Sequence, residues 1–311
     1  MSMLWLPTPS RFTVVVVAVG LSVGLVGAEE SRWSPVPSGT DSSLIGIWGS
    51  SATDVFVVGS QGDFRRYDGE TWSPIQVDGA PHLVAVWGTG PDDVFASGDG
   101  GLILHWDGAA WTRMPSGARE KTALDSVWGS GSRDVFVAGD DGEHGVLLHY
   151  DGEAWSAMTV PETPGLYCVW GSAADDVFAV GLLGTILHYD GEVWSVVPSG
   201  TEQHLTGVWG SAANDVFAVG VGGTILHYDG SAWTTMPSGT EEHIARVWGT
   251  ARDDVYGVGM NGLLLHYDGR SWRAMPSGTD QDLFGAWGAS KDDVLLVGKA
   301  GTILRGGLGP D

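Results

Sequence analysis

The sequence predicts an all-β protein, a seven-bladed β-propeller built from four-stranded antiparallel blades. Three observations support this prediction. A Trp-Gly pair recurs seven times at intervals of 39 to 42 residues, which is typical of a repeat array. Each repeat contains four short runs of β-branched, aromatic and apolar residues, separated by Gly, Asn, Asp, Ser or Pro. None of these runs has the periodicity of an amphipathic helix.

Short sequence motifs mark the strands and turns of each repeat unit. The seven Trp-Gly pairs begin at Trp48, Trp87, Trp128, Trp170, Trp209, Trp248 and Trp287. An Asp-Val pair follows each of them and opens the second strand of the unit. Six units then carry Asp-Gly three residues before a second tryptophan, and Asp-Gly favours a tight hairpin turn between two strands. The four strands of one unit therefore form one antiparallel blade.

The chain ends predict how the ring closes. The seventh unit stops after its third strand, at residues 301–305. The fourth strand that it lacks is present at the other end, because residues 33–40 match residues 233–240 of the fifth unit. We expect the segment that begins with Trp33 to supply the outer strand of the last blade. Such closure removes an exposed sheet edge that would favour aggregation.

The first 28 residues have the pattern of a secretory signal. Arg11 precedes an apolar run that reaches Val26, and the small-residue end Val26-Gly27-Ala28 predicts cleavage after Ala28. The alternative is an uncleaved membrane anchor. Residues 29–311 then form the propeller, with no second hydrophobic segment that could span a membrane. We expect an exported protein, either secreted or held in the periplasm or at the cell surface.

The charge composition of the chain limits the kinds of partner that it can bind. The 311 residues include 38 acidic and 15 basic side chains, for a net charge of −23. A surface this acidic repels phosphate backbones, so nucleic acid is excluded as a partner. The single cysteine, Cys168, cannot form an internal disulfide, so packing must stabilise the fold. We expect a monomer.

A family resemblance rests on motifs of the fifth unit. Gly222-Gly223, Tyr228-Asp229, Trp233 and Met236-Pro237 resemble the kelch pattern, shortened from about 50 to about 39 residues. The Asp-Gly-x-x-Trp element is similar to the Asp-box repeat of bacterial neuraminidases, although that motif separates Asp from Gly. Over residues 31–305 the chain resembles exported bacterial propellers of the WD-, kelch- and Asp-box-like groups. The resemblance implies the fold but no particular activity, because propellers host many unrelated functions.

The most conspicuous repeated residues have a structural interpretation. Fourteen tryptophans recur at repeat positions, and we expect them to pack between blades, with a tryptophan-lined sugar site as the alternative. Five histidines occupy one repeat position, too far apart from blade to blade to share a metal ion. We expect each to bond a turn carbonyl or carboxylate. These histidines are His105, His149, His188, His227 and His266. The Asp-Val aspartates are expected to accept bonds from nearby backbone amides.

Function is expected where the repeats differ. Strand alternation places the blade-to-blade connections and the hairpins between second and third strands on one face of the disc, here called the loop-rich face. Variable loops on a rigid scaffold often carry binding sites, although ordinary solvated loops are the alternative. The candidate binding residues on this face and in the channel are Asp41, His82, Asp99, Asp140, Asp141, His144, His204, Glu242, His243, Arg246, Asn261 and Asp282.

Two local features of the sequence suggest that an ion could bind there. The residue two before the inner-strand tryptophan is small in six units, as a crowded channel requires, but is Arg246 in the sixth. We expect Arg246 to pair with an acid such as Glu242, with anion binding as the alternative. In the third unit, Asp140, Asp141 and Glu143 are candidate ligands of a Ca²⁺ ion, because three carboxylates lie within four positions. No other metal or cofactor is predicted.

The sequence favours a binding module over an enzyme. It contains no Gly-x-Ser-x-Gly, His-Glu-x-x-His or phosphate-loop motif, and no catalytic residue is predicted. The leading hypothesis is an exported, non-catalytic binding or scaffold module that presents its loop-rich face to a protein or glycan. One alternative is a carbohydrate-active hydrolase or lyase that uses carboxylates at the channel mouth. The other is a multivalent lectin.

Overall fold

The computed structural model describes residues 32–77, 79 and 81–308. Within these residues the chain forms seven four-stranded antiparallel sheets, one for each blade, as predicted. Single turns of 3-10 helix occupy five of the hairpins between second and third strands. The predicted signal peptide, residues 1–28, lies outside the described residues. The described part of the chain has no helix of the length and hydropathy needed to cross a membrane.

The strands fall into four sets by their position from the channel outward. The inner strands are Leu44–Ser51, Leu83–Gly90, Ala123–Gly131, Leu166–Ala173, Leu205–Ala212, Ile244–Ala251 and Leu283–Ser290. The second strands are Asp54–Gly59, Asp93–Gly98, Asp134–Asp140, Asp176–Gly181, Asp215–Gly220, Asp254–Gly259 and Asp293–Gly298. The third strands are Phe64–Tyr67, Leu102–Trp106, Gly145–Tyr150, Ile186–Tyr189, Ile225–Tyr228, Leu264–Tyr267 and Ile303–Gly306. The outer strands are Trp72–Pro74, Trp111–Met114, Trp155–Ala157, Trp194–Val196, Trp233–Thr235, Trp272–Ala274 and Ser34–Pro35. The 3-10 turns are Ser60–Gly62, Leu182–Gly184, Val221–Gly223, Met260–Gly262 and Lys299–Gly301.

The seventh blade is completed by the N-terminal segment, as predicted. Strand Ser34–Pro35 pairs antiparallel with Ile303–Gly306, with Ser34 opposite Arg305. The ladder continues one residue further, where the amide of Val36 donates to the carbonyl of Ile303 at 2.8 Å. The first and last parts of the propeller are therefore joined in one sheet, which closes the ring.

Each inner strand carries a β-bulge at the same place. In the fifth blade, Leu205 lies opposite Gly220 and Gly207 lies opposite Val219, so Thr206 has no partner of its own. Corresponding register shifts occur in the other six blades. A bulge interrupts the alternation of side chains between the two faces of a strand and re-aims the bulged residue. The bulged position is the residue three before each inner-strand tryptophan.

The inner-strand tryptophans pack against the glycine of the next Trp-Gly pair. A Cβ placed on Gly171 would lie 2.5 Å from Cη2 of Trp128, in the preceding blade. The same contact joins the last blade to the first, where a Cβ on Gly49 would lie 2.7 Å from Cη2 of Trp287. Glycine is therefore required at this position because the indole of the neighbouring blade occupies the space of a side chain.

The outer-strand tryptophans also join neighbouring blades. Trp233 packs edge-to-face on Phe178 of the preceding blade, with ring centroids 5.6 Å apart. In the closing strand, Trp33 packs in the same way on Tyr256, at 6.0 Å. Both tryptophans are buried. The structural interpretation of the tryptophans agrees with these contacts.

The repeated aspartates and histidines bind each other. In the fifth blade, Oδ1 of Asp215 lies 2.8 Å from Nε2 of His227, and Oδ2 accepts from the Ser211 hydroxyl at 2.5 Å. The expected carboxylate partner of the histidines is therefore confirmed. The expected amide bonds of the Asp-Val aspartates are wrong, because these carboxylates bind His or Arg side chains and, in six blades, a Ser or Thr hydroxyl. The Asp-Gly aspartates make such bonds instead: the hydroxyl and amide of Ser231 and the amide of Ala232 lower the pKa of Asp229 to about 2.

Candidate functional site

The bulged residues lie around the channel at its opening on the loop-rich face, here called the channel mouth. Leu44, next to the first bulge, pairs with Gly59, which ends the second strand and leads into the loop-rich face. All seven bulged residues differ, and every one except Ala245 is half-buried. They are Ile45, Val84, Asp125, Tyr167, Thr206, Ala245 and Phe284.

A cavity of about 320 Å³ opens at this mouth. Tyr167 and Phe284 supply aromatic surface, and Val221 and Met260 add aliphatic surface from the 3-10 turns of the fifth and sixth blades. The polar side chains of the cavity are Asp125, His204, Thr206, His243 and Arg246. Apolar walls with a few polar groups are typical of binding sites.

A cavity larger than that of the channel mouth lies elsewhere and has fewer charged side chains in its lining. It measures about 560 Å³ and lies beside the closing strand, next to Trp33 and Pro35. Among its described lining residues only Asp41 is charged, and much of its wall is formed by Pro-Ser-Gly-Thr segments that recur in several blades. Because the segments of this wall recur in several blades, the cavity has little that distinguishes it from the same region of other blades. The channel mouth is therefore the better candidate for a binding site.

Asp125 is the acid of the channel mouth. Its carboxylate makes no hydrogen bond or ion pair with any other described residue. Burial raises the pKa of Asp125 to about 6, and the carboxylates of Asp99 and Asp140 add to this rise while Arg246 opposes it. The structure thus brings two of the sequence-predicted candidates, Asp99 and Asp140, close enough to act on Asp125.

Arg246 is the base of the channel mouth. Its Nη1 donates to the carbonyl oxygens of Thr206 and Ala245. The predicted pair with Glu242 is wrong, because Glu242 instead accepts a bond from the side-chain amide of Asn261 at 3.0 Å. The guanidinium is held by backbone carbonyls beside the bulges, and its Nε and Nη2 make no hydrogen bond to another described residue.

The two histidines of the cavity fix the loops that border it. Nδ1 of His204 accepts from the amide of Leu183 at 2.9 Å, which ties a blade connection to the neighbouring hairpin. Nε2 of His243 lies 3.2 Å from the Thr206 hydroxyl. Burial, with a smaller effect of Arg246, lowers the pKa of His243. The ring is therefore neutral near pH 7.

The remaining candidates are spread over the rim of the loop-rich face. Asn261 donates its backbone amide to Asp282 at 3.0 Å, and Lys299 lies 3.5 Å from the same carboxylate. Asp41 is exposed beside the closing strand, and His82 is half-buried in the connection between the first two blades; neither lines the mouth cavity. These residues order loops around the mouth without converging on one point.

The calcium hypothesis is not supported. Oδ1 of Asp141 accepts the amides of Glu143 and His144, and Oδ1 of Asp140 accepts the amide of Gly142. The carboxylates shape their own hairpin, and Asp141 also contacts Arg119 at 3.2 Å. Among the described residues no group of three or more His, Cys, Asp or Glu side chains is arranged as a metal site.

Seven residues of the cavity are not among the candidates predicted from the sequence, and they include Asp125, Tyr167 and Phe284. The position two before each tryptophan drew the prediction toward the channel, but its small residues let adjacent inner strands approach. A Cβ on Gly46, for example, would lie 2.7 Å from the carbonyl oxygen of Val84. The position one residue earlier varies in every repeat, and that variation was the available signal. The bulge that turns this position into the channel has no sequence signature of its own.

The comparisons with known proteins support the fold. No protein-family model matches the sequence, and no curated protein matches it. Among solved structures, YCF48 bound to a D1 peptide has a TM-score of 0.74 and 15% identity, over 90% of this chain and 96% of the other. YCF48 from Cyanidioschyzon merolae has a TM-score of 0.71 and 18% identity, over 88% and 98%. Virginiamycin B lyase from Staphylococcus aureus has a TM-score of 0.72 and 11% identity, over 88% and 98%.

Replacing Asp125 with asparagine is expected to stabilise the protein at neutral pH. An acid whose pKa is raised on folding favours the folded state only while it is protonated, so its contribution declines as pH rises from about 4 to about 6. The asparagine side chain would stay neutral throughout. We expect Asp125→Asn to raise the free energy of unfolding by about 1–2 kcal/mol at pH 7.5, with a smaller gain toward pH 4, in urea titrations. An equal effect at both pH values would contradict the burial of this carboxylate.

Proposed function

We propose that this protein is a non-catalytic binding module that holds a protein partner at the channel mouth. One observation carries the proposal: the bulged residue differs in every blade, and five of the seven line one cavity of mixed polarity. The repeated polar groups, by contrast, are used within the fold, as in the bond between Asp215 and His227. The mouth is where this chain departs from its own repeat.

The shape of the site favours one partner over many copies of a small ligand. A multivalent lectin needs equivalent ligand groups in successive blades, but Tyr167, Thr206 and Phe284 offer different chemistry at equivalent positions. An asymmetric mouth suits a single asymmetric segment, such as a stretch of polypeptide. That YCF48, a propeller of similar fold, is bound to a D1 peptide is consistent with this proposal.

The cellular setting belongs to the same proposal. We place the protein outside the cytoplasm of a bacterium, after removal of residues 1–28, because of the signal pattern at the N-terminus. The kinship with kelch and Asp-box propellers is likewise proposed from the motifs around Tyr228 and Trp233. In this setting the module acts as a monomer that presents its loop-rich face to a partner.

The test compares proteins captured from the envelope of the expressing cell by wild type and two variants. Tyr167→Ala/Phe284→Ala removes the aromatic surface of the mouth. Val193→Ser is the matched control, because Val193 is 59% exposed in a turn on the opposite face. We expect wild type to capture a partner whose binding saturates, and the mouth variant to capture at least tenfold less of it. The control should capture as much as wild type. Equal capture by all three proteins would refute the proposal.

A further inference from the structure

The channel mouth lies in strongly acidic surroundings. On the described part of the loop-rich face, acidic side chains outnumber basic ones in both the blade connections and the hairpins. The acids are Asp41, Asp63, Asp99, Glu120, Asp140, Asp141, Glu143, Glu162, Glu202, Glu241, Glu242, Asp280 and Asp282. Like charges clustered on one face attract a partner segment of opposite charge and speed its association.

Most basic groups of this face already have acidic partners. Arg65 lies 2.8 Å from Asp63, and Arg119 lies 3.2 Å from Asp141. The ammonium group of Lys299 is similarly close to a rim carboxylate, that of Asp282. These pairs involve three acids, and among the described residues no Lys or Arg forms an ion pair with the other acids of the rim.

Inside the cavity the two charged groups belong to different walls. Asp125 comes from the third blade and Arg246 from the sixth, and no ion pair joins them. Asp125 has no donor among the described residues, and Asp99 and Asp140 lie close enough to add to its field. Arg246 is anchored on the carbonyl oxygens of Thr206 and Ala245, and its remaining donors suit the carbonyl oxygens of an extended backbone.

We propose that the segment bound at the channel mouth is a basic peptide, whose Lys or Arg side chain pairs with Asp125 while a neighbouring apolar side chain packs between Tyr167 and Phe284. This inference rests on the proposed function and adds the chemistry of the partner to it. The apolar side chain supplies buried area in the cavity, and the cation provides selectivity because it meets a carboxylate that lacks any other donor.

The experiment is a selection of random 12-residue peptides displayed on phage, carried out on the immobilised full chain. Peptides that also bind the Tyr167→Ala/Phe284→Ala variant are removed, so that those retained depend on the mouth. One enriched peptide is then synthesised with a fluorescent label. Its Kd is measured for wild type, for Asp125→Asn and for Asp175→Asn, an exposed acid in a turn on the opposite face.

We expect the enriched peptides to carry net positive charge and an apolar residue beside the cation. Asp125→Asn should raise the Kd of the synthesised peptide about tenfold, whereas Asp175→Asn should leave the Kd within about twofold of wild type. Enrichment of acidic or uncharged peptides, or a Kd that Asp125→Asn does not change, would overturn this inference. The proposal that the protein is a binding module would still stand. If no enriched peptide distinguishes wild type from the mouth variant, the proposed function fails as well.

Discussion

Replacing Gly171 with alanine is expected to lower the free energy of unfolding by about 3 kcal/mol, because the new methyl group has no space. It would lie 2.5 Å from Cη2 and 2.7 Å from Cζ3 of Trp128, and 2.8 Å from the carbonyl oxygen of Asp176. The indole packs between two blades and the carbonyl belongs to the adjacent strand of the same sheet, so neither can move without opening an interface. Urea titration at neutral pH measures the loss.

The matched control is Gly131→Ala, near the end of another inner strand. No atom lies within 4 Å of a Cβ placed there. Adding a methyl group at an unobstructed glycine changes stability little, or raises it by restricting the unfolded chain. We expect the control to stay within about 0.5 kcal/mol of wild type. Similar losses in the two variants would show that the indole-glycine contacts do not hold the blades together.

Replacing Trp33 with alanine is expected to cost about 3–4 kcal/mol, comparable to other large-to-small changes in protein cores. Trp33 is 4% exposed and packs on Tyr256 of the sixth blade. It also belongs to the apolar cluster of the last two blades, which includes Leu304. The loss weakens both the closing strand and the contact between two blades. Thermal and urea unfolding should both report it.

The control for this change is the next residue. Ser34 lies in the same closing strand, but its side chain is exposed. Ser34→Ala should therefore leave the free energy of unfolding within about 0.5 kcal/mol of wild type. If Trp33→Ala were as mild as Ser34→Ala, the N-terminal segment could not contribute to the stability of the ring.

The fold could be predicted from the sequence because each blade repeats its own contacts. Two patterns indicate contacts that recur from blade to blade: the seven Trp-Gly pairs and the Asp-Gly turns. The match between residues 33–40 and 233–240 indicates how the last blade is completed. The pairing of Ser34 with Arg305 confirms the prediction drawn from them. Regular contacts leave a periodic trace in a sequence, and the strand positions follow from it.

The channel mouth could not be predicted in the same way, because it depends on departures from that regularity. The bulge rotates Asp125 and Tyr167 into the channel, whereas strict alternation along the strand would have favoured the small residues beside them. The sequence shows that Arg246 is unusual at its repeat position, but it does not predict its partners, because these are backbone carbonyls. Asp99 and Asp140 are among the predicted candidates, but their effect on Asp125 depends on how neighbouring strands and blades pack.

Ring closure is the claim on which the site depends, since the mouth is formed by inner strands from all seven blades. Its most direct test is disulfide formation between the paired positions in the variant Ser34→Cys/Arg305→Cys, with Ser34→Cys/Arg66→Cys as the control. Arg66 occupies a third strand in the first blade, where it faces Ser73 instead of the closing strand. Peptide mapping after mild oxidation should find the 34–305 disulfide in most molecules and almost none between 34 and 66. Failure of the first pair to cross-link, or equal cross-linking of both pairs, would contradict closure of the ring by the N-terminal strand.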